Sequence, residues 1–290
     1  MQTELLYDTK ASLGEGPIWD AKTQTLYWLD ILNKVVYKGP DIWIKLDEFV
    51  GCIAPRQNGG LILTQRASIL MLDQADPESD PVRGTLVHLG GEALLNNRFN
   101  DGKCDPRGRF LAGTMDLNET DPAGSLYSFD GKSVTTILGN VTISNGMAWS
   151  PDHKTFYYID TPTRIVRAFD YDLDSGMIAN SRQVIYVPES LGWPDGMTSD
   201  MDGNLWIAMW GGAQVTKWNP DTGELLAQIP VPALHTSSCV FGGRDMNELY
   251  ITSARKGLSD RDLLNYPLSG GLFKVVTSTT GMPTFEFGEP

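Results

Sequence analysis

Short apolar runs alternate with clusters of Gly, Pro, Asn and Asp along the chain, the pattern of β-strands joined by tight turns. No stretch reads as a long amphipathic helix. Within this alternation one unit recurs. A small residue opens a short apolar strand, a turn rich in Pro, Asp or Gly follows, and about ten residues on a second strand begins. The copies start at Gly16 (GPIWDAKTQTLYWLD), Gly51 (GCIAPRQNGGLILTQ), Gly102 (GKCDPRGRFLAGTMD), Gly146 (GMAWSPDHKTFYYID), Gly196 (GMTSDMDGNLWIAM) and, with Ser in place of Gly, Ser238 (SCVFGGRDMNELYITS). Each is followed by a third strand, at Lys34–Tyr37, Ser68–Met71, Ser125–Tyr127, Ile165–Ala168, Gln214–Lys217 and Gly271–Lys274.

Copies spaced by roughly 35 to 50 residues have the period of four-stranded propeller blades. The pattern therefore predicts an all-β fold: a six-bladed β-propeller with four-stranded blades around a central channel, occupying residues 1–290 as a single domain. A two-layer sandwich also needs many short strands, but it would not repeat one three-strand phrase in phase six times. The ring must hide its open edges, and the expected closure pairs Thr284–Phe287 with strands of the first copy.

Composition narrows the function. There are 36 Asp and Glu against 23 Lys and Arg, with no basic cluster, so the field repels phosphate backbones and nucleic acid is not an expected partner. The first residues carry no basic stretch followed by an apolar run, and no segment approaches the roughly 18 apolar residues of a membrane span, so neither export nor a membrane partner is expected. The three cysteines, Cys52, Cys104 and Cys239, are far apart and lack CxxC spacing, which suits a reducing, cytoplasmic setting. The oligomeric state is not legible.

In a propeller the first strand of every blade lines the channel, so residues just ahead of equivalent strands converge at one face. The position before the repeat Gly or Ser is Glu15, Val50, Asp101, Asn145, Asp195 and Ser237. Any one Asp-Gly or Asn-Gly pair is ordinarily a turn, as at Asp130-Gly131 and Asp202-Gly203, but these recur at one phase. Carboxylates that face one another raise each other's pKa, and a bound cation relieves them. Glu15, Asn145 and Asp195 form an oxygen-only donor set for one divalent metal ion, Ca²⁺, Mg²⁺, Mn²⁺, Zn²⁺ or Fe²⁺, with coordination positions left for water and substrate.

The segment Asn96–Gly102 is dense in hydrogen-bonding groups. Arg98 offers a rigid fork of donors and Asn100 both donates and accepts, a combination suited to sugar hydroxyls. Of the histidines, His153 lies in a turn, His88 in a strand-like run, and only His235, upstream of the sixth copy, is placed to face the channel. Cys239 reads as a small core residue and not as a nucleophile. Trp19, Trp193 and Trp210 are candidates for an apolar rim.

The phrases LGEGPIWD, RFNDGKCDPRGRFLAGTM, SNGMAWSPD, PDGM with DGNLWIA, and FGG with LYITSARKGL occur in order over essentially the whole chain. They resemble the senescence marker protein, gluconolactonase and luciferin-regenerating enzyme family, which includes regucalcin, and the ending TSARKGLSDRDLLNYPLSGGLF resembles its bacterial sugar lactonases. The resemblance implies a six-bladed propeller with one metal held by Glu15, Asn145 and Asp195, substrate contacts from Arg98 and Asn100, and Asp195 as acid or base. Animal members carry a Glu near the position of Asn118, which makes Asn118, or its neighbour Glu119, a further substrate contact.

The expected activity is therefore metal-dependent hydrolysis of a sugar lactone, such as a glucono-, xylono- or arabinonolactone, to the aldonic acid. In it Asp195 handles the proton, and Asp101 is a supporting partner or alternative base. Two rivals are a calcium-binding or regulatory propeller without catalysis and a propeller scaffold that binds partners on its faces. Arg98 and Asn100 argue against a pure ion site, which has no use for a sugar-reading arginine.

Overall fold

The computed structural model describes residues 2–73, 84–88 and 96–288. Its strands form six four-stranded antiparallel sheets, and the first strands of adjacent blades lie against one another in a ring. These inner strands are Gly14–Asp20, Val50–Pro55, Asn97–Cys104, Ser144–Trp149, Trp193–Ser199 and His235–Gly242. The six-bladed propeller and its four-stranded blades are thus as the repeat predicts. Among the described residues the one α-helix is Asp260–Asn265, capped by Ser259, in a loop of the sixth blade.

The core lies between blades. Six apolar clusters fill the six junctions, for example Leu29, Val36, Ile53 and Leu63 between the first and second blades, and Ile159, Val166, Ile207 and Met209 between the fourth and fifth. Inner and middle strands contribute most of this burial, whereas the outer strand Ile178–Tyr186 is exposed along most of its length. Cys52, Cys104 and Cys239 are buried packing residues outside any disulfide, and burial pushes the Cys239 thiol up to about 12, which keeps it from nucleophilic use.

The ring closes differently from the expectation. Glu4–Tyr7 pairs antiparallel with Leu272–Val276 and supplies the fourth strand of the sixth blade, so that blade is built from both ends of the sequence. An outer strand left unpaired would expose a row of backbone donors and acceptors, and the N-terminal strand covers it. The segment around Thr284–Phe287 instead crosses the propeller at the far ends of the inner strands. There Met282 N–H donates to Ser199 O at 2.9 Å, Phe287 N–H to Pro55 O at 2.7 Å and Gly288 N–H to Gly108 O at 3.0 Å. The opposite end of the channel stays open as a cavity.

Candidate active site

Each inner strand loses register with its neighbour at the repeat residue: between Glu15 and Ile18, Val50 and Ile53, Phe99 and Gly102, Ser144 and Met147, Pro194 and Met197, and Thr236 and Ser238. The sequence places these residues just ahead of the strands; the structure places them inside, at bulges. A bulge turns side chains out of the ladder's alternation, and here it aims them along the channel. Gly51, Gly102, Gly146 and Gly196 sit where adjacent inner strands come closest, and a Cβ on Gly146 would stand 2.6 Å from Met197 Cβ and 2.7 Å from the Asp195 carbonyl oxygen.

Of the six repeat positions, Glu15, Asn145 and Asp195 reach a cavity of about 380 Å³ at this end of the channel. Val50 is buried packing, and the Ser237 hydroxyl donates to Gly14 O, joining the sixth blade to the first. Asp101 is buried outside the cavity wall, its Oδ1 accepting from Gly102 N–H at 2.7 Å. Arg98 and Asn100 both line the cavity. Arg98 Nη1 donates to Asn100 Oδ1 at 2.7 Å, and Asn100 Nδ2 donates to Asn145 Oδ1 at 3.0 Å and to Ser144 O at 2.8 Å. Asn145 is pinned on its other side by its Nδ2 donating to Thr161 Oγ1 at 2.8 Å. The two bonds fix the orientation of the amide in the cavity wall.

Those carboxylates are under strain of charge. Burial and then the neighbouring Asp101 push Glu15 up to about 8. Burial, with Glu15 and Asp101, holds Asp195 well above the usual carboxylate range, and burial raises Asp101. Among the described residues no three His, Cys, Asp or Glu side chains form a metal-holding cluster on their own. The repeat positions that reach the cavity supply two carboxylates and an amide, which fits a hard or borderline divalent cation by its chemistry, and the raised carboxyls are the groups a cation would relieve.

Asn118 is exposed and lies outside the wall, while Glu119 lines it. The turn explains the exchange. Asn118 N–H is tied to Asp116 Oδ2 at 3.1 Å, and Glu119 takes a left-handed φ of 63°. Glu119 is ion-paired with Lys256, which also lines the cavity and which the sequence reading missed. Trp193 and Trp210 form part of the wall as expected, but Trp19 stacks on Tyr250 at 5.5 Å by a separate crevice. His235 lies behind the wall, stacked on Trp210 at 4.1 Å, and burial pushes its imidazole down to about 4, so it is neutral near pH 7.

Lys256, Glu119 and Thr161 have a common origin that the repeat could have revealed. In an antiparallel blade the end of the second strand returns to the start of the first, so the loops after Asp116, Asp160 and Ala254 rim the same mouth. Asp30 and Asp160 also escaped notice. They accept backbone N–H groups of Ser12 and Leu13, and of Thr142 and Ile143, and so fix Leu13 and Ile143 on the cavity wall.

A propeller whose axial cavity gathers buried carboxylates, an amide and an arginine from remote blades defines a class: a small-molecule pocket at the mouth of a six-bladed β-propeller. Residues 13–255 match the SMP-30/Gluconolactonase/LRE-like region, and the chain belongs to that family. It is 40% identical over 287 residues to regucalcin of Bos taurus, covering 94% of each chain. It is 36% identical over 295 residues to a Bacillus subtilis (strain 168) protein named as a candidate sugar lactone lactonase, YvrE, covering 99% of each. Among solved structures, one described as a calcium-binding protein, regucalcin, from Agrobacterium tumefaciens str. C58 superposes with a TM-score of 0.89 at 27% identity, covering 98% of this chain and 96% of that one.

Proposed function

We propose that the cavity opens a small sugar lactone to its aldonic acid, and that it does so with a divalent cation held by Glu15, Asn145 and Asp195. Lactone hydrolysis as such follows from the family, so the chain is a hydrolase acting on a cyclic ester. The single observation that carries the finer reading is the junction of two buried carboxylates and a pinned amide with the Arg98–Asn100 pair at one cavity floor. When bound, the cation supplies Lewis acidity at the lactone carbonyl.

Asp195 takes a proton from the attacking water and returns it to the ring oxygen as the acyl–oxygen bond breaks, giving the open hydroxy acid. Burial and two neighbouring carboxyls make its carboxylate a stronger base than an exposed one. Asp101 lies outside the cavity wall, which suits support of this charge cluster better than contact with water or substrate. Arg98 Nη1 is committed to the Phe99 carbonyl and Asn100, which orients the guanidinium so that its remaining N–H groups can read sugar hydroxyls. Calcium binding named for the Agrobacterium relative supports the cation, and Ca²⁺, Zn²⁺, Mn²⁺, Mg²⁺ and Fe²⁺ all suit the donors.

The direct test is Asp195→Asn. It keeps the shape and removes the base, so kcat should fall by about 10²–10⁴ with an unchanged circular dichroism spectrum. Turnover within a few-fold of wild type would remove Asp195 from the role.

A further inference from the structure

The cavity mouth carries an aromatic wall that the hydrolytic chemistry leaves unused. Trp193 opens the inner strand of the fifth blade, Trp210 closes the strand beside it, and the two are register partners that both line the cavity. Both rings are backed. The Arg164 guanidinium lies 3.6 Å from the Trp193 ring centroid and is itself held by Nη1 donating to Gly192 O at 2.9 Å. His235 lies parallel to Trp210, with planes 7° apart. Neither Arg164 nor His235 lines the cavity, whereas both tryptophans do.

Trp193 is 41% exposed, an unusual state for so large an apolar ring that is also fixed in place. It stands two residues before Asp195 in the same strand, about 7 Å further out at the rise of a β-strand. A lactone ring whose carbonyl sits at Asp195 occupies that span itself, and the indole is left for whatever the ring carries beyond it.

The rest of the wall mixes apolar residues, Leu13, Met115, Ile143 and Pro162, with a charged pair, Glu119 and Lys256. Lys256 comes from the sixth blade and Glu119 from the third, which stand opposite each other in the ring, so their ion pair crosses the opening. A group lodged there meets the indoles on the fifth-blade side, an ammonium from the adjoining sixth blade and a carboxylate from the third. That is the complement of a sugar ring, whose C–H face is apolar and whose edge is hydroxylated.

Resting on the lactonase reading above, we propose that Trp193 and Trp210 form an outer subsite for a second, glycosidically linked sugar, so that the preferred substrate is an aldobionolactone. Hydrolysis opens the lactone ester alone, water adding across it, and leaves the glycosidic bond intact. A bulky alkyl substituent is the competing occupant, and the charged pair spanning the mouth disfavours it.

The test compares kcat/KM for glucono-1,5-lactone, cellobiono- and maltobionolactone, and an alkyl δ-lactone of similar length, in wild type, Trp193→Ala and Trp193→Phe. One disaccharide lactone should exceed gluconolactone by about tenfold, the factor given by ~1.4 kcal/mol of added contact. Trp193→Ala should collapse that ratio toward one, and Trp193→Phe should restore most of it. Equal values for mono- and disaccharide lactones, a ratio unmoved by Trp193→Ala, or preference for the alkyl lactone each overturns the proposal while leaving lactone hydrolysis standing. Calorimetry with cellobionic, maltobionic and gluconic acids separates subsite from chemistry. Tighter binding of a disaccharide acid, lost in Trp193→Ala, supports the subsite even if no lactone is opened, and equal binding overturns it.

Discussion

Glu15 is the residue whose state couples the site to the stability of the molecule. Its carboxyl is pushed up to about 8 by burial and by Asp101, whereas an exposed glutamate ionises near 4.5. Between those values the unfolded chain has released a proton that the folded chain keeps. The contribution of Glu15 to the stability of the metal-free protein is therefore full below about pH 4.5 and is lost as pH rises through about 8. On the proposed metal assignment, a divalent cation binding the ionised form opposes that loss. The thermal midpoint of chelator-treated protein should fall from about pH 5 to about pH 8, Glu15→Gln should flatten the fall, and Ca²⁺ should raise the wild-type midpoint more at the higher pH. A slope unchanged by Glu15→Gln contradicts this account. The same scale shows what one sequence can reveal: Glu15, Asn145 and Asp195 were legible because they share a phase and a residue chemistry, whereas Glu119, Thr161 and Lys256 share only a place after the second strand and have no residue type in common to mark it.

At the scale of the strand, the inner-strand bulge is the device that turns a repeat into a site. It depends on glycine, because adjacent inner strands meet there without room for a side chain. Gly146→Ala should destabilise by about 1–3 kcal/mol and lower activity, since relieving the clash moves Asn145 or Asp195. Gly139, in the outer strand Val134–Val141, has nothing within 4 Å of the corresponding position, and Gly139→Ala should stay within about 0.5 kcal/mol in denaturant unfolding. Equal effects at the two positions would contradict the close-approach argument. The first three strands of each blade were readable because burial imposes an apolar pattern on them. The fourth was not, since strands such as Ile178–Tyr186 face solvent and are specified by backbone pairing.

On the scale of the whole molecule, closure and charge matter most. The sixth blade takes its outer strand from Glu4–Tyr7, which no local pattern announces because the partner strand is more than 260 residues away. Removing residues 2–7 should expose Leu272–Val276 as a free edge, lower the thermal midpoint by at least about 5 °C and promote self-association in size-exclusion chromatography. A truncated chain as stable and as monodisperse as the full one would show that the seam is not closed by this strand. The formal net charge of −13 favours the approach of cations to a mouth that already gathers carboxylates.

The central claim is that these carboxylates hold a cation for lactone opening. The most direct measurement is acid release from a panel of aldonolactones by chelator-stripped protein, with and without added Ca²⁺, Mg²⁺, Mn²⁺, Zn²⁺ or Fe²⁺, corrected for spontaneous opening. The account predicts that at least one lactone opens enzymatically only when a cation is restored, and that Glu15→Gln weakens the response to that cation. Full activity in stripped protein would contradict the metal assignment, and metal binding without any lactone opening faster than in buffer would contradict the catalytic one.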